Sequence, residues 1–224
     1  MKRQILETIE DHKKMIDELG ESSMAIIAAV AEAVIKALRQ NGTVYLCGNG
    51  GSAADAQHIA GELVGRFERE RKALPAVALS TDTSILTSIA NDYAYENIFA
   101  RQVEALVKKG DVLWALSTSG VSANVIAAAK LAKKKGACIL AFTGQSDSLL
   151  EKIADICFCA ANKSTARSQE AHQLAYHIVC DLVEQSFCKL QEDKPQIRVE
   201  GVKLNPPGVQ RIKHTGTREF QGKK

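Results

Sequence analysis

Between Thr43 and Cys159 the chain repeats one pattern, a short run of consecutive apolar residues followed by a longer stretch with apolar positions three and four apart. The runs lie at 44–47, 76–79, 112–116, 137–142 and 156–159. None alternates apolar with polar, which is how a strand reads when both of its faces are buried, and the intervening stretches are long enough to be helical crossovers. The pattern predicts an α/β fold, a doubly wound three-layer sandwich built on a five-stranded parallel sheet. Two N-terminal helices precede it. The first carries Ile5, Leu6, Ile9, Met15, Ile16 and Leu19 at helical spacing; the second carries Ile26, Ile27, Val30, Val34 and Leu38, with Ser22 or Ser23 as its expected cap. Together they hold more apolar face than one sheet edge needs, so the surplus meets either the core or another subunit.

The 224 residues, 46% apolar and 25% charged, are ordinary globular composition. One domain over 1–192 and a tail over 193–224 is the simplest division. From Lys194 onward eight Lys or Arg face only Glu200 and Glu219, a tail charge of +6, so the net +3 leaves the body at +3 − 6 = −3. A body of that charge is not expected to bind nucleic acid. The tail, with Pro195, Pro206, Pro207 and four glycines, reads as a flexible, solvated basic extension. No window approaches the roughly 18 consecutive apolar residues of a membrane span, and no apolar run follows Lys2 and Arg3, so a cytoplasmic protein without membrane contact is expected. Six cysteines without CxxC spacing read as free, buried thiols.

Four constellations carry chemistry. Gly48, Asn49, Gly50, Gly51 and Ser52 join the first strand to a helix, where absent side chains let backbone N–H groups approach an anion. The spacing is not a dinucleotide fingerprint, which would want glycine at Ala53, nor a Walker loop, which would want lysine. Ser117, Thr118, Ser119 and Ser122 follow the third strand and open another helix; four hydroxyls exceed what capping needs and suit a phosphate monoester. His58 and Glu62, spaced i, i+4, leave one face of a helix and can hold a metal or exchange protons. Gln169 and His177 share a later helix, within a quarter turn of each other but about 12 Å apart in rise, with His172 nearby.

Four segments together resemble the sugar isomerase (SIS) family and, within it, the sedoheptulose 7-phosphate isomerases, or phosphoheptose isomerases. They are CGNGGSAADAQHIAGELVGRF at 47–67, AND at 90–92, STSGVSANV at 117–125 and RSQEAHQLAYH at 167–177. The resemblance implies one zinc ion per subunit held by His58, Glu62, Gln169 and His177, and a homotetramer with sites near subunit boundaries. It assigns Ser117, Thr118, Ser119 and Ser122 to the substrate phosphate, Asn49, Gly50, Gly51 and Ser52 to the sugar side of the cradle, and Asn91 and Asp92 to the active site, with Arg66 assisting by charge. Two positions depart from it: Ser168 stands where the family usually has isoleucine, and Ala166 where some members have aspartate. The basic tail lies outside the family's usual length.

The implied reaction moves a ketose carbonyl from C2 to C1 through an enediol, the first step of ADP-heptose and lipopolysaccharide core biosynthesis. Glu62 is expected to move the proton at carbon and His177 to act as its acid partner, with Asp92 in the catalytic set. Relatives that bind a replication initiator instead of converting a sugar lack the acid and the second histidine, both present here. A sugar-phosphate sensor would keep the hydroxyl loop and need no proton-transfer pair.

Overall fold

The five apolar runs pair as one parallel sheet in the computed structural model, which describes residues 1–192, with side-chain surroundings given through Cys188. The strands are β1 (Val44–Cys47), β2 (Ala76–Ala78), β3 (Val112–Ser117), β4 (Cys138–Thr143) and β5 (Ile156–Cys159), in the order β2-β1-β3-β4-β5. The expectation of a flexible tail over 193–224 lies outside the described residues.

Side chains alternate across the strands and fill two cores. Val44, Leu46, Trp114, Leu116, Leu140 and Phe142 face α1 (Lys2–Asp17), α2 (Glu21–Arg39), α3 (Gly51–Val64) and α8 (Thr165–Glu192). Tyr45, Cys47, Leu113, Ala115, Ile139 and Ala141 face α4 (Thr83–Asp92), α5 (Ala100–Leu106), α6 (Ala123–Lys134) and α7 (Leu149–Ile153). Burial on both faces explains the continuous apolar runs of the central strands β1, β3 and β4, each fully buried large side chain contributing about 1.5–3 kcal/mol, while the edge strands β2 and β5 are only partly buried.

The order of strand addition reverses between β1 and β3: β1 pairs Tyr45 with Val77 on one side and Leu113 on the other, both in parallel. The loops leaving β1 and β3 therefore emerge side by side at the carboxyl edge, the switch point where open α/β sheets bind ligands. That places both expected anion loops together.

The helix preceding β1 starts two or three residues earlier than the sequence suggests. Gly20, in extended conformation, is its cap, and Ser22 and Ser23 lie inside α2, which corrects the expected serine cap. Ile27, Val30, Val34 and Leu38 of α2 are core. In α1 only Met15 is buried, while Ile5, Leu6 and Ile9 stay exposed, so most of the surplus apolar face belongs to α1, with Met24 of α2 also exposed. Polar ties hold α1 to α8: His12 Nδ1 lies 2.6 Å from Glu170 Oε2, and the Arg167 guanidinium donates to the Thr8 carbonyl at 2.8 Å. Ser168 is buried, its hydroxyl directed at the carbonyls of Asn162 and Ser164. A Cβ on Gly144 would come within 2.5 Å of that hydroxyl, so Ser168 packs directly against bare glycine backbone.

The segment after α3 is fixed to α8 by a buried ion pair. Glu184 accepts the backbone N–H groups of Phe67, Glu68 and Arg69 at 2.7–2.8 Å and lies 3.4 Å from Arg71 Nε. Arg71 in turn donates to the carbonyls of Glu62 and Leu63, at 2.7 and 2.8 Å, which are orphan acceptors of the last turn of α3. Burial alone would raise the Glu184 carboxyl, but the three N–H donors and Arg71 outweigh it and hold it below the usual glutamate value of 4.5. A depressed folded value means stability that is complete above the unfolded value and lost as pH falls through the folded one.

Glu184→Ala strands Arg71 without its partner and is expected to cost about 3–5 kcal/mol in urea unfolding; a loss under about 1 kcal/mol would remove the clamp from this role. Stability measured from pH 6 downward should decline less below about pH 4.5 for Glu184→Gln than for the wild type.

Candidate active site

Two glycine and hydroxyl loops meet at the switch point around a cleft of about 340 Å³. Asn49, Gly50, Gly51 and Ser52 line it from the β1–α3 turn, Ser117, Thr118, Ser119 and Ser122 from the β3–α6 turn, and Thr165 and Gln169 from the start of α8. A larger cavity of about 590 Å³ lies between α1 and the loop before α8. Its Arg167 is already committed to Thr8 and Glu170, and no glycine loop opens into it.

Hydroxyls in the cleft bond to one another. Ser117 Oγ lies 3.1 Å from Ser122 Oγ and 3.4 Å from Ser119 Oγ, while the amides of Gly120 and Val121 donate to Ser117 and Ser119 at 3.2 and 3.4 Å. Ser122 occupies the cap position of α6 without a side-chain bond to the helix, so its hydroxyl is turned to the cleft instead. Gly120 makes this possible. Its φ is +65°, and a Cβ there would strike Ser148 at 2.3 Å. The N-termini of α3 and α6 both open here, each carrying about half a positive charge. The cleft thus offers an anion neutral donors and helix dipoles, with no lysine or arginine among its lining residues.

Asn49 is locked in place by a residue that sequence reasoning missed. Its amide exchanges two hydrogen bonds of 2.8 Å with buried Asn124, and Tyr95 donates to its Oδ1 at 3.3 Å. The available signal was the continuation of the serine loop into Ser122, Ala123 and Asn124. Arg66 turns to Glu68 and Glu70, and Asn91 donates to Asp92 at the exposed end of α4, so all three stand apart from the cleft lining. His172 is fully buried, 3.0 Å from the Thr143 carbonyl, and desolvation lowers its pKa to about 4; it is a core residue.

Two turns along α3, a second cluster forms. His58 Nε2 lies 3.1 Å from Glu62 Oε1 and 3.5 Å from His177 Nε2. His177 also packs against Phe67, ring centroids 5.6 Å apart. Burial lowers the His177 pKa and His58 lowers it further, against the pull of Glu62. Gln169 is not in this cluster. Its amide packs on Gly51, where a Cβ would come within 2.2 Å of Nε2, about 10 Å of helix rise from His58.

The expected four-ligand cage is therefore not assembled as it stands. Among the described residues no group of three His, Cys, Asp or Glu side chains converges as a metal-holding set, because Glu62 and His177 each meet His58 and not each other. The donor types, two imidazoles and a carboxylate, suit zinc, with the contacts made so far being those of His58 to Glu62 and His177 at 3.1 and 3.5 Å.

Comparison with known proteins identifies the family and the fold. Residues 9–144 match the family model described as SIS domain. The phosphoheptose isomerase of Roseiflexus sp. (strain RS-1) is 50% identical over 185 residues, 83% of this chain and 94% of that protein. That of Aquifex aeolicus (strain VF5) is 47% identical over 188 residues, covering 81% and 98%. A solved phosphoheptose isomerase from Francisella tularensis superposes with a TM-score of 0.79 at 34% identity, over 82% of this chain and 97% of the other.

Ser119→Ala and Ser122→Ala should each weaken binding of a sugar phosphate by about fivefold, one donor's worth of roughly 1 kcal/mol. Calorimetry of phosphate monoester binding measures this, and an unchanged dissociation constant in both variants counts against the cradle.

Proposed function

The chain belongs to the SIS-domain family and, within it, to the phosphoheptose isomerases, and we propose that its site works by enediol proton transfer between Glu62 and His177 beside a zinc ion. The enzyme interconverts sedoheptulose 7-phosphate and glycero-manno-heptose 7-phosphate. The observation that carries the mechanism is the meeting of Glu62 and His177 on His58, two turns along α3 from a phosphate-sized cleft. A seven-carbon sugar bears its phosphate at one end and its reacting C1–C2 pair at the other. The two stations are likewise separated, by about 10 Å of helix rise.

The cradle of Ser117, Thr118, Ser119 and Ser122 tethers the phosphate through neutral donors, which fixes the sugar's orientation without a competing cation. The Glu62 carboxylate takes the pro-enediol proton from C1 and returns it to C2. The His177 imidazole gives and takes the proton at the carbonyl and hydroxyl oxygens. His58, Glu62 and His177 would hold the zinc, with Gln169 joining only when its amide leaves Gly51; when bound, the ion supplies positive charge against that building on the enediolate oxygens. A sensor would need the cradle alone, so the Glu62–His58–His177 cluster beyond it favours the enzyme.

The same reading makes the enzyme a cytoplasmic homotetramer at the first step of ADP-heptose and lipopolysaccharide core biosynthesis. Supporting it are six free cysteines, at home in a reducing compartment, and exposed apolar side chains on α1 and α8, among them Ile5, Leu6, Leu174 and Ile178. No helix among the described residues is long and apolar enough to cross a membrane.

Glu62→Gln should lower turnover of sedoheptulose 7-phosphate by about 10²–10⁴-fold, the usual worth of a positioned acid–base group, with phosphate binding retained. Activity within a few fold of wild type would take the carbon proton away from Glu62. Chelation should abolish turnover and zinc restore it; full activity in protein shown to be metal-free overturns the zinc assignment.

A further inference from the structure

His58 is held from behind as well as approached from in front. Its Nε2 faces Glu62 and His177, while its Nδ1 lies 3.1 Å from the Tyr176 hydroxyl on α8. That hydroxyl is also 3.4 Å from Asp55 Oδ1, one turn before His58 on α3. Tyr176 is 1% exposed, its ring edge-on to His58 with centroids 5.5 Å apart. Asp55 Oδ2 is buried without any hydrogen-bond partner among the described residues, so Tyr176 supplies that carboxylate's one specific polar contact here. A tyrosine placed only to fill the core would serve as well as phenylalanine. A buried carboxylate with one oxygen unpaired is costly and calls for a reason.

Proton counting gives the reason. The tyrosine hydroxyl has one proton; given to the Asp55 carboxylate, it leaves the tyrosine oxygen to accept from Nδ1–H of His58, and Nε2 then carries a lone pair toward Glu62 and His177. Rotating the imidazole by half a turn would put carbon against Tyr176 and break this chain. We propose that Tyr176 and Asp55 are positioning residues, which hold His58 by Nδ1 so that Nε2 stays presented to both Glu62 and His177. The proposal rests on the zinc-holding role of His58, and it assigns to the pair the part that second partners of metal-binding histidines generally play.

The test uses full-length Tyr176→Phe and Asp55→Asn, each prepared metal-free. Zinc affinity, measured by competition with a chromophoric chelator, is expected to fall by about 10–100-fold. In turnover of sedoheptulose 7-phosphate, kcat should fall while KM stays within about twofold, because the hydroxyl cradle is untouched. The ¹⁵N resonances of His58 in the metal-free protein should report a protonated, hydrogen-bonded Nδ1 in the wild type and lose that signature in Tyr176→Phe. Wild-type zinc affinity together with unchanged His58 resonances overturns the proposal, as does a rise in KM matching the loss of kcat, the mark of general damage. If Tyr176→Phe fails to fold, Asp55→Asn carries the comparison. If wild-type protein binds no zinc, the metal reading fails by itself and the resonances alone decide whether Tyr176 orients the ring.

Discussion

The site depends on two helices, separated by more than a hundred residues, meeting at one fixed height, and the Arg71–Glu184 pair sets that height. Arg71 closes the carboxyl end of α3 by capping the carbonyls of Glu62 and Leu63, and Glu184 reaches from α8 to gather the next three amides of the chain. Burying two charges is expensive, and mutual attraction alone seldom recovers the cost. Here the surrounding amides and carbonyls supply most of the compensation, leaving Arg71 Nε with only its ion pair to Glu184. The pair therefore specifies register more than it adds stability: a slip of one turn between α3 and α8 would leave a carboxylate and a guanidinium unsatisfied in the core.

That register decides the chemistry. With α3 and α8 so placed, His177 falls opposite His58, Tyr176 falls behind it, and Gln169 falls on Gly51 at the mouth of the cleft. Anion binding and proton transfer are divided between two stations on the same pair of helices. The first uses helix ends and hydroxyls, whose donors are neutral and held in place by Gly120, Ser148 and Asn124. The second uses a carboxylate and two imidazoles at the surface, partly open to a substrate and to whatever covers the exposed apolar side chains of α8.

Polar groups inside the fold sort by whether they face the sheet or its edge. His172, Ser168 and Gln102 are buried and spend their hydrogen bonds on backbone carbonyls, holding loops and helix ends. Ser117, Ser119 and Ser122 spend theirs largely on one another at the carboxyl edge, an arrangement that rigid packing does not need and that an incoming anion can reorganise.

How much of this was legible in the chain follows from the range over which each signal acts. Strand runs, helical spacing and the two anion loops are local, so 44–47 and 112–116 revealed themselves by uninterrupted apolarity, and Ser117 to Ser122 by an excess of hydroxyls over any capping need. The family resemblance added Gln169 and His177, which local spacing left 12 Å apart in rise. The serine cap predicted for α2 missed because Gly20 could take the extended conformation first. Amino-acid order alone determined the sheet, its buried character and the residue types at its carboxyl edge, because periodicity records which faces are dry. Only the tertiary structure decided that Tyr176 and Asp55 stand behind His58, that Asn124 grips Asn49, and that Gln169 rests on Gly51. Those facts depend on the relative height and rotation of packed helices, which long-range buried contacts fix and no short window of sequence encodes.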